Sequence, residues 1–273
     1  MTQLHRTRTY YITTISESDG IMPEDMTDSM TGEKNPVAEM NLAKFLSTAG
    51  VCARRAAEGL IREGRISVNG EKARRAAQKV TEKDTVTFDG KTVKSVSSYV
   101  YFMLHKPRGY VCTMEDPHAK KKAVDLIPGG DYRVVSAGRL DKDSEGMILF
   151  SNDGNFIEKL THPRYGISKT YEVSLDSPLS EKDISRILSG IRDGKDLLKA
   201  KEVRHLHDNK YALVLMEGKN REIRRMMEAC RKETKRLKRI AVGSLYMKDL
   251  PVGLARRLSA GEVALVLKDM VKK

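Results

Sequence analysis

A four-residue apolar run, Met147-Ile148-Leu149-Phe150, follows a glycine-bounded segment that is charged along much of its length. The segment spans residues 137–146, and the apolar pair Val134-Val135 precedes it. Continuous apolar runs of this kind indicate buried strands, and loops held between such strands often carry ligand-contacting groups. The sequence therefore predicts a short loop that presents Arg139 and Asp141 from a rigid frame, although an Arg-x-Asp pair taken alone is more often a surface ion pair in a turn.

Strand patterns outnumber helix patterns beyond residue 98. Apolar and β-branched runs predict strands at 99–104, 134–135, 147–150, 171–175, 202–206 and 211–216. Helical spacing and capping residues predict helices at 155–160, 180–188 and 221–230. A chain in which strands predominate between hairpin-like turns is predicted to be α+β, with a mixed, mainly antiparallel sheet.

Residues 40–98 predict a smaller α+β unit. Apolar positions 42, 45, 46 and 49 follow helical spacing up to Gly50, and a second helix is predicted over 53–63. An Asn-Gly pair at 69–70 and an Asp-Gly pair at 89–90 each follow a short alternating run, which predicts two strands with tight turns.

The net charge of +13 is unevenly distributed. Residues 1–39 hold three basic and seven acidic residues, which leaves residues 40–273 at +17. Such a surplus favours a polyanionic partner, and nucleic acid fits better than a membrane because no segment combines a strong apolar face with a separate basic face. Residues 1–39 are predicted to be a poorly ordered acidic extension, with one short strand at 10–15.

Several classes of protein are disfavoured. The three cysteines lie far apart, no secretory signal is visible and no apolar run is long enough to cross a membrane, so we expect a cytoplasmic protein without disulfides. No glycine-rich phosphate loop or metal-ligand cluster is present, and His205 with His207 lacks a third ligand, so we expect neither cofactor nor metal. Without coiled-coil heptads, a monomer is the expectation.

Four segments together resemble the pseudouridine synthases, specifically the branch that modifies single uridines in bacterial ribosomal RNA. Gly138-Arg139-Leu140-Asp141 resembles the signature of that family, and Lys169-Thr170-Tyr171 resembles its Lys-x-Tyr strand. Residues 101–110 resemble the segment that opens the catalytic domain, with His105 where asparagine is commoner, and residues 217–226 resemble its late arginine-containing helix start. The order and rough spacing of the four segments also fit.

The helix pair and strands of residues 40–98 are similar to the S-four-type RNA-binding domain that precedes the catalytic domain in many of these enzymes. The resemblance implies three parts: an extension at 1–39, an RNA-binding domain at 40–98 and a catalytic domain of pseudouridine synthase type at 99–273.

The resemblance implies an isomerase that breaks the bond between ribose C1′ and uracil N1, rotates the base and joins C5 in its place, without a cofactor. Asp141 would supply the catalytic carboxylate, and whether it attacks the sugar or the base stays open. Tyr171 would stack on the uracil. Arg224 would pair with Asp141 and keep it ionised in a dry pocket, while its neighbours Ile223 and Met226 face the core.

Basic residues in two regions are predicted to contact RNA, because the family resemblance and the charge surplus agree. Arg139 would enter the RNA beside the flipped base. The others are Lys44, Arg54, Arg55, Arg62, Arg65, Arg74 and Arg75 in the small domain, and Arg221 and Arg225 in the run 219–239, which holds ten basic and three acidic residues. Either region could instead be a solvated face.

Two other functions stay open at this stage. A non-catalytic RNA-binding ribosome assembly factor would need only the basic surfaces, and an N-glycoside hydrolase would use a similar carboxylate but release the base. We favour the enzyme, because a binding-only protein has no reason to hold Asp141, Tyr171 and Arg224 at the family spacing. The expected partner is ribosomal RNA or a pre-ribosomal particle, with no membrane contact.

Overall fold

The structure is a computed structural model that describes residues 39–94, 99–114, 118–130 and 132–271. The strand predicted at 10–15 and the acidic extension around it lie outside the described residues. All of the described residues belong to one compact unit, so the border predicted between residues 98 and 99 stays a prediction.

The N-terminal part of the described chain packs two short helices against two small antiparallel sheets. Its elements are β1 (Met40–Asn41), α1 (Leu42–Thr48), α2 (Ala57–Arg62), β2 (Ile66–Val68), β3 (Glu71–Lys72), β4 (Lys79–Val80), β5 (Val86–Phe88) and β6 (Lys91–Thr92). Strand β1 pairs with β4, and the other four form a sheet in the order β3-β2-β5-β6. Leu42, Leu46, Ala57 and Ile66 are fully buried between the helices and the strands.

The two predicted turns are confirmed by their backbone angles. Asn69 and Gly70 have φ of 53° and 85°, and Asp89 and Gly90 have φ of 47° and 77°. Two successive residues with positive φ form the hairpin turn that matches strand twist, and Asn-Gly and Asp-Gly adopt it at the lowest energy.

Helix α1 is confirmed, whereas the predicted start of the second helix is wrong. Residues 53–56 form a turn closed by a 2.8 Å bond from the Ala56 amide to the Ala53 carbonyl, and α2 begins only at Ala57. Arg54 and Arg55 therefore lie exposed on that turn instead of on the polar face of the helix, where only Arg62 remains.

The larger part of the chain is built on a sheet that has nine strands within the described residues. Its elements in chain order, with a separate hairpin of β11 and β12, are β7 (Tyr101–Lys106), β8 (Val135–Ser136), β9 (Glu145–Ser151), α3 (Gly154–Thr161), β10 (Lys169–Leu175), α4 (Glu181–Ser189), β11 (Ile191–Asp193), β12 (Asp196–Leu198), β13 (Glu202–His207), β14 (Lys210–Leu215), α5 (Glu222–Ala229), β15 (Thr234–Val242), β16 (Leu245–Tyr246), β17 (Ala255–Arg257) and α6 (Ala260–Leu267).

The strand order is β13-β14-β10-β15-β9-β7-β17, with β8 beside β9 and β16 beside β15. Every strand pair in it is antiparallel except β9 with β15. The predicted α+β class with a mixed, mainly antiparallel sheet is confirmed.

Strand β9 occupies the centre of the core, as its apolar run predicts. All seven of its residues are buried, and its side chains alternate between two apolar clusters on opposite faces of the sheet. Ile148 and Phe150 join one cluster, and Met147 and Leu149 join the other. Loops anchored to such a strand share its rigidity.

Helices α4 and α5 fit their sequence signals. Ser180 and Asp183 exchange bonds at the start of α4, where the Asp183 amide donates to the Ser180 hydroxyl at 3.2 Å and the Ser180 amide donates to the Asp183 carboxylate at 3.1 Å. In α5, Ile223 and Met226 are buried as predicted, and Met227 is buried beside them. None of the helices in the described ranges is both long and apolar enough to cross a membrane.

Strand β15 is the main element that the sequence analysis missed. The run 219–239 was expected to form one RNA-contacting surface, but from Thr234 onward it belongs to β15, a nine-residue strand between β10 and β9 that extends to Val242. Leu237, Arg239 and Ala241 point into the core, and Lys235 is exposed. The density of basic residues conceals an alternation with a period of two that is typical of a strand.

Candidate active site

A cavity of about 230 Å³ lies between the loop that precedes β9 and the first turn of α5. Its lining includes Arg139, Asp141, Ser144, Tyr171, Arg221 and Glu222. The structure therefore brings Asp141 and Tyr171 to one cavity, with two of the predicted RNA-contacting arginines beside them.

Backbone hydrogen bonds fix the Asp141 loop. The Ala137 amide donates to the Leu149 carbonyl at 2.7 Å, and the Gly109 amide donates to the Lys142 carbonyl at 2.7 Å. Within the loop, the Ser144 amide donates to the Asp141 carbonyl at 3.1 Å. These bonds attach the chain on both sides of Asp141 to the sheet and to the segment after β7, so the loop is held rigidly, as the sequence predicts.

Gly146 allows the loop to approach the strand that carries Arg239. The two residues are partners in the parallel pairing of β9 with β15, and Gly146 has φ of 111°. A Cβ atom at this position would overlap the Arg239 carbonyl oxygen and lie 2.5 Å from the Arg239 backbone nitrogen. Only glycine fits there without separating the two strands.

Lys106 is a buried cation beneath the Asp141 loop. Its side chain is fully inaccessible, and Nζ donates to the Ser144 carbonyl at 2.7 Å and to the Pro107 carbonyl at 3.0 Å. Burial lowers the pKa of Lys106, and the nearby Asp141 and Asp143 oppose that shift. Lys106 thus holds the loop in place through its hydrogen bonds and also contributes positive potential near Asp141.

The predicted ion pair between Arg224 and Asp141 is not formed. The Arg224 guanidinium donates instead to the main-chain carbonyls of Thr234 and Asp143, each at 3.3 Å, and its Nε has no partner among the described residues. Burial lowers the pKa of Arg224, while Asp141 and Asp143 raise it. Arg224 therefore lies close enough to act on Asp141 through its charge but is held by backbone groups.

Arg239 packs behind Tyr171 and had no role in the sequence analysis. It is 4% exposed, and its Nε donates to the Met147 carbonyl at 2.7 Å. Its guanidinium carbon lies 6.0 Å from the centre of the Tyr171 ring, and Nη1 is 3.5 Å from the Tyr171 hydroxyl oxygen. The tyrosine, 8% exposed, is thus supported from the side away from solvent.

Lys169 lies two residues before Tyr171 on the same side of β10. Its burial, with the repulsion of Arg239, lowers the pKa of Lys169 to about 8, and Glu222 acts in the opposite direction. Lys169, Arg239 and Glu222 interact through their charges, and of the three only Lys169 was marked by a sequence motif, the Lys-x-Tyr strand.

Two buried polar side chains in the cavity lining have unused hydrogen-bonding atoms. Glu222 is 4% exposed, and its Oε2 accepts the Lys219 amide at 2.9 Å, whereas its Oε1 has no partner within the described residues. Ser144 is 1% exposed, and its hydroxyl likewise lacks a partner there. Such groups are uncommon in folded proteins and call for an explanation.

Two of the arginines predicted to contact RNA are already engaged within the protein. Arg225 donates to the carboxylates of Asp193 and Asp196 at 2.5 and 2.9 Å. Arg65 donates from Nε and Nη2 to both carboxylate oxygens of Asp89, at 3.0 and 2.6 Å. Their charges are compensated locally, which makes them weaker candidates for phosphate contact.

The remaining basic candidates are accessible. Lys44 is half-buried and donates to the Asn155 side chain at 3.0 Å, and with Arg54 it lines a second cavity of about 600 Å³ between α1 and α3. The exposed members are Arg54, Arg55, Arg62, Arg74 and Arg75 in the N-terminal part of the described chain, and Arg139 and Arg221 at the rim of the cavity that contains Asp141.

The histidines of β13 bond to a neighbouring turn. His205 Nε2 lies 2.7 Å from the Asp208 carbonyl oxygen, and His207 Nδ1 lies 2.9 Å from the Asp208 carboxylate. No group of three or more potential metal ligands occurs in the parts of the chain that the structure describes.

The sequence matches two family profiles. Residues 100–229 match the profile described as RNA pseudouridylate synthase, and residues 40–86 match the S4 domain. The first match contains the Asp141 loop, Tyr171 and the start of α5.

Curated relatives match over most of their length. The chain is 36% identical to ribosomal large subunit pseudouridine synthase B of Bacillus subtilis over 228 residues, which cover 81% of this chain and 93% of the relative. It is 33% identical to ribosomal small subunit pseudouridine synthase A of Yersinia pestis, over 83% of this chain and 98% of the relative. A crystal structure of a pseudouridylate synthase superposes with a TM-score of 0.61 at 27% identity, and the match covers 83% of this chain and 99% of that one.

Proposed function

The chain belongs to the RNA pseudouridylate synthase family, and from that premise we propose that it isomerises uridine in ribosomal RNA to pseudouridine, with Asp141 as the catalytic carboxylate. The observation that carries the assignment is that Asp141 and Tyr171 line one cavity, with Lys106, Arg224 and Arg239 buried around it.

The reaction needs an ionised carboxylate at the bond between the sugar and the base. Asp141 is half-buried on a loop held at both ends, so its carboxylate meets the extruded nucleoside in a defined direction. As C1′–N1 cleaves, the carboxylate either bonds to the reacting carbon or stabilises the positive charge that develops on the sugar. The freed uracil then rotates and forms the C1′–C5 bond, after which C5 loses its proton and N1 gains one, so the product is an isomer of the substrate.

Two buried cations lie within electrostatic reach of the Asp141 loop. Lys106 and Arg224 are both within reach of its charge, as their shared electrostatic coupling to Asp141 indicates. Neither cation forms a direct bond to the carboxylate, so its oxygens stay available to the substrate. The role that the family resemblance assigns to Arg224 alone is therefore divided between two cations.

Tyr171 is proposed to stack against the uracil. Arg239 packs against its ring on one side, and the residue lines the cavity. A fixed aromatic face can hold the base while it turns between N1 and C5, because stacking places few constraints on rotation within the ring plane.

The accessible basic residues are proposed to position the RNA. Arg139 and Arg221 lie at the cavity rim, where they would meet the phosphates or the gap left by the flipped base. Lys44, Arg54 and Arg62 would bind folded RNA through its backbone, with residues 40–98 acting as an anchoring domain. The relatives include synthases named for the large ribosomal subunit and for the small one, so the RNA of either subunit is a candidate substrate.

We further propose that the protein acts as a monomer in the cytoplasm, where ribosomal RNA is made and modified. A single chain carries Asp141 and Tyr171 in one cavity and the buried cations around it, so a second copy is not needed to complete the site.

The function is tested by mapping pseudouridine across ribosomal RNA from cells with and without this protein, followed by incubation of purified protein with the RNA from deficient cells. We expect one or a few uridines to lose the modification in the deficient cells and to regain it in vitro. Appearance of abasic sites would indicate an N-glycoside hydrolase instead, and binding without any change to the RNA would indicate an assembly factor.

A further inference from the structure

We propose that Glu222 recognises the target base, by accepting a hydrogen bond from the N3–H group of uracil. The inference rests on the proposed function and adds to it a determinant of base specificity that no family resemblance assigned.

Glu222 lies where a base reader would have to lie. It begins α5 and lines the same cavity as Asp141 and Tyr171, and the cavity separates the start of this helix from the Asp141 loop. A nucleoside with its sugar at Asp141 and its ring on Tyr171 would therefore direct its outer edge toward the α5 side of the cavity.

One carboxyl oxygen of Glu222 has a structural task and the other has none. Oε2 accepts the Lys219 amide at 2.9 Å and so closes the turn before the helix. Oε1 is buried and has no hydrogen-bond partner among the described residues, and the residue as a whole is only 4% exposed. Leaving a buried acceptor unpaired is unfavourable, unless a ligand supplies the missing donor.

The electrostatic setting agrees with a site that is completed by a ligand. Burial raises the pKa of Glu222, and the Lys219 amide, which bonds to Oε2, opposes that shift, as does the Lys199 amide, which lies near the carboxylate but forms no hydrogen bond with Oε1. A perturbed carboxyl group in a catalytic cavity is a frequent mark of function. In the ionised carboxylate, Oε1 is a free acceptor while Oε2 holds the Lys219 amide, so this form can accept the N3–H of uracil.

The chemistry discriminates between the pyrimidines. Uracil carries a donor at N3, whereas the N3 of cytosine is an acceptor that would face the Glu222 oxygen without a hydrogen between them. A site built to pair with a substrate N–H strongly rejects analogues that lack it, because its own buried group is then left unpaired. Tyr171 cannot supply this selectivity, since every base has a face on which to stack.

Ser144 is the other unpartnered polar group in the lining, but it lies on the Asp141 side. Its amide bonds to the Asp141 carbonyl, and its own carbonyl accepts from Lys106. It is therefore placed at the sugar end of the nucleoside and does not compete with Glu222 for the base edge.

The test uses a ribosomal RNA fragment with either uridine or N3-methyluridine at the target position, and measures kcat/KM for pseudouridine formation. For the wild type, we expect N3-methylation to lower kcat/KM by about 100-fold, because a buried acceptor loses its donor. In Glu222→Ala, uridine turnover should fall by about 10- to 100-fold, and the penalty of methylation should shrink to about threefold or less. Glu228→Gln, on the exposed side of the same helix, should behave as the wild type.

Glu222→Gln provides a second measurement if the alanine variant fails to fold, because the amide oxygen can still accept the Lys219 amide. Its side chain can also donate to N3 of cytosine, so the preference in binding for the uridine fragment over a cytidine fragment should narrow by about tenfold. An unchanged methylation penalty in Glu222→Ala, or an unchanged base preference in Glu222→Gln, would overturn the inference. A wild-type protein that makes no pseudouridine would instead refute the proposed function.

Discussion

Replacing Gly146 by alanine should separate strands β9 and β15, which meet at the end of the Asp141 loop. The residue has φ of 111°, and an added Cβ would overlap the Arg239 carbonyl oxygen and approach the Arg239 backbone nitrogen to 2.5 Å. Both neighbours are main-chain atoms of a central strand, so no flexible side chain can move aside to make room.

The size of the effect follows from two contributions. Holding an alanine at this φ costs about 1–3 kcal/mol, and forcing a methyl group into packed backbone costs about 1–3 kcal/mol more. We therefore expect Gly146→Ala to lower the free energy of unfolding by about 4 kcal/mol, which for a domain of this size corresponds to a fall in Tm of about 8–16 °C. Activity should fall further, because Asp141 moves away from Tyr171.

Two control variants separate the contributions when urea unfolding and thermal unfolding are measured side by side. Gly194→Ala places an alanine at positive φ without a steric clash, because Gly194 has φ of 58° and an added Cβ would have no neighbour within 4 Å. It should lower the free energy of unfolding by about 1 kcal/mol. Gly154→Ala adds a methyl group in open space at the start of α3 and should be neutral or stabilising by about 0.5 kcal/mol. Gly146→Ala that is no less stable than Gly194→Ala would refute the close-approach argument.

Three further predictions concern pH, salt and the support behind the tyrosine. Hydrogen bonds from Arg256 lower the pKa of Glu262 to about 2, so this pair should stabilise the fold by about 1 kcal/mol above pH 4.5, after allowance for its partial exposure. The difference in the free energy of unfolding between the wild type and Glu262→Gln should therefore vanish as the pH falls toward 2. An equal difference at pH 2 and pH 7 would contradict this prediction. Arg54→Ala and Arg62→Ala should each reduce the slope of log affinity against log salt by about 0.7, measured by RNA titration, and unchanged slopes would argue against phosphate contact. Arg239→Met should lower kcat by about tenfold or more with the Kd for RNA unchanged, because the side chain is 4% exposed and cannot touch RNA; a loss confined to binding would contradict its supporting role.

The sequence predicted those parts of the fold in which local pattern and burial agree. The apolar run of β9, the Asn69-Gly70 turn and the Ser180 capping box each have a local physical cause, and each is present in the structure. The meeting of Asp141 and Tyr171 was predicted only through the family resemblance, because the two residues are 30 positions apart and nothing local relates them.

Features that depend on tertiary contacts escaped prediction. Strand β15 was hidden because Arg239 occupies an inward position that sequence patterns assign to apolar residues, and only its bonds to Met147 and Tyr171 make that burial tolerable. Arg225 was counted as an RNA contact because its partners, Asp193 and Asp196, are distant in sequence. The direct pair of Arg224 with Asp141 was expected by resemblance, and the structure binds that guanidinium to backbone carbonyls instead.

The most direct test of the central claim is pseudouridine formation by Asp141→Asn on ribosomal RNA that the wild-type protein modifies, with RNA affinity measured on the same preparations. Because the substitution removes one carboxylate charge and leaves the basic surfaces intact, we expect no detectable pseudouridine and a Kd within about threefold of the wild type. Pseudouridine formed by Asp141→Asn at the wild-type rate would contradict the assignment of this carboxylate as the catalytic group.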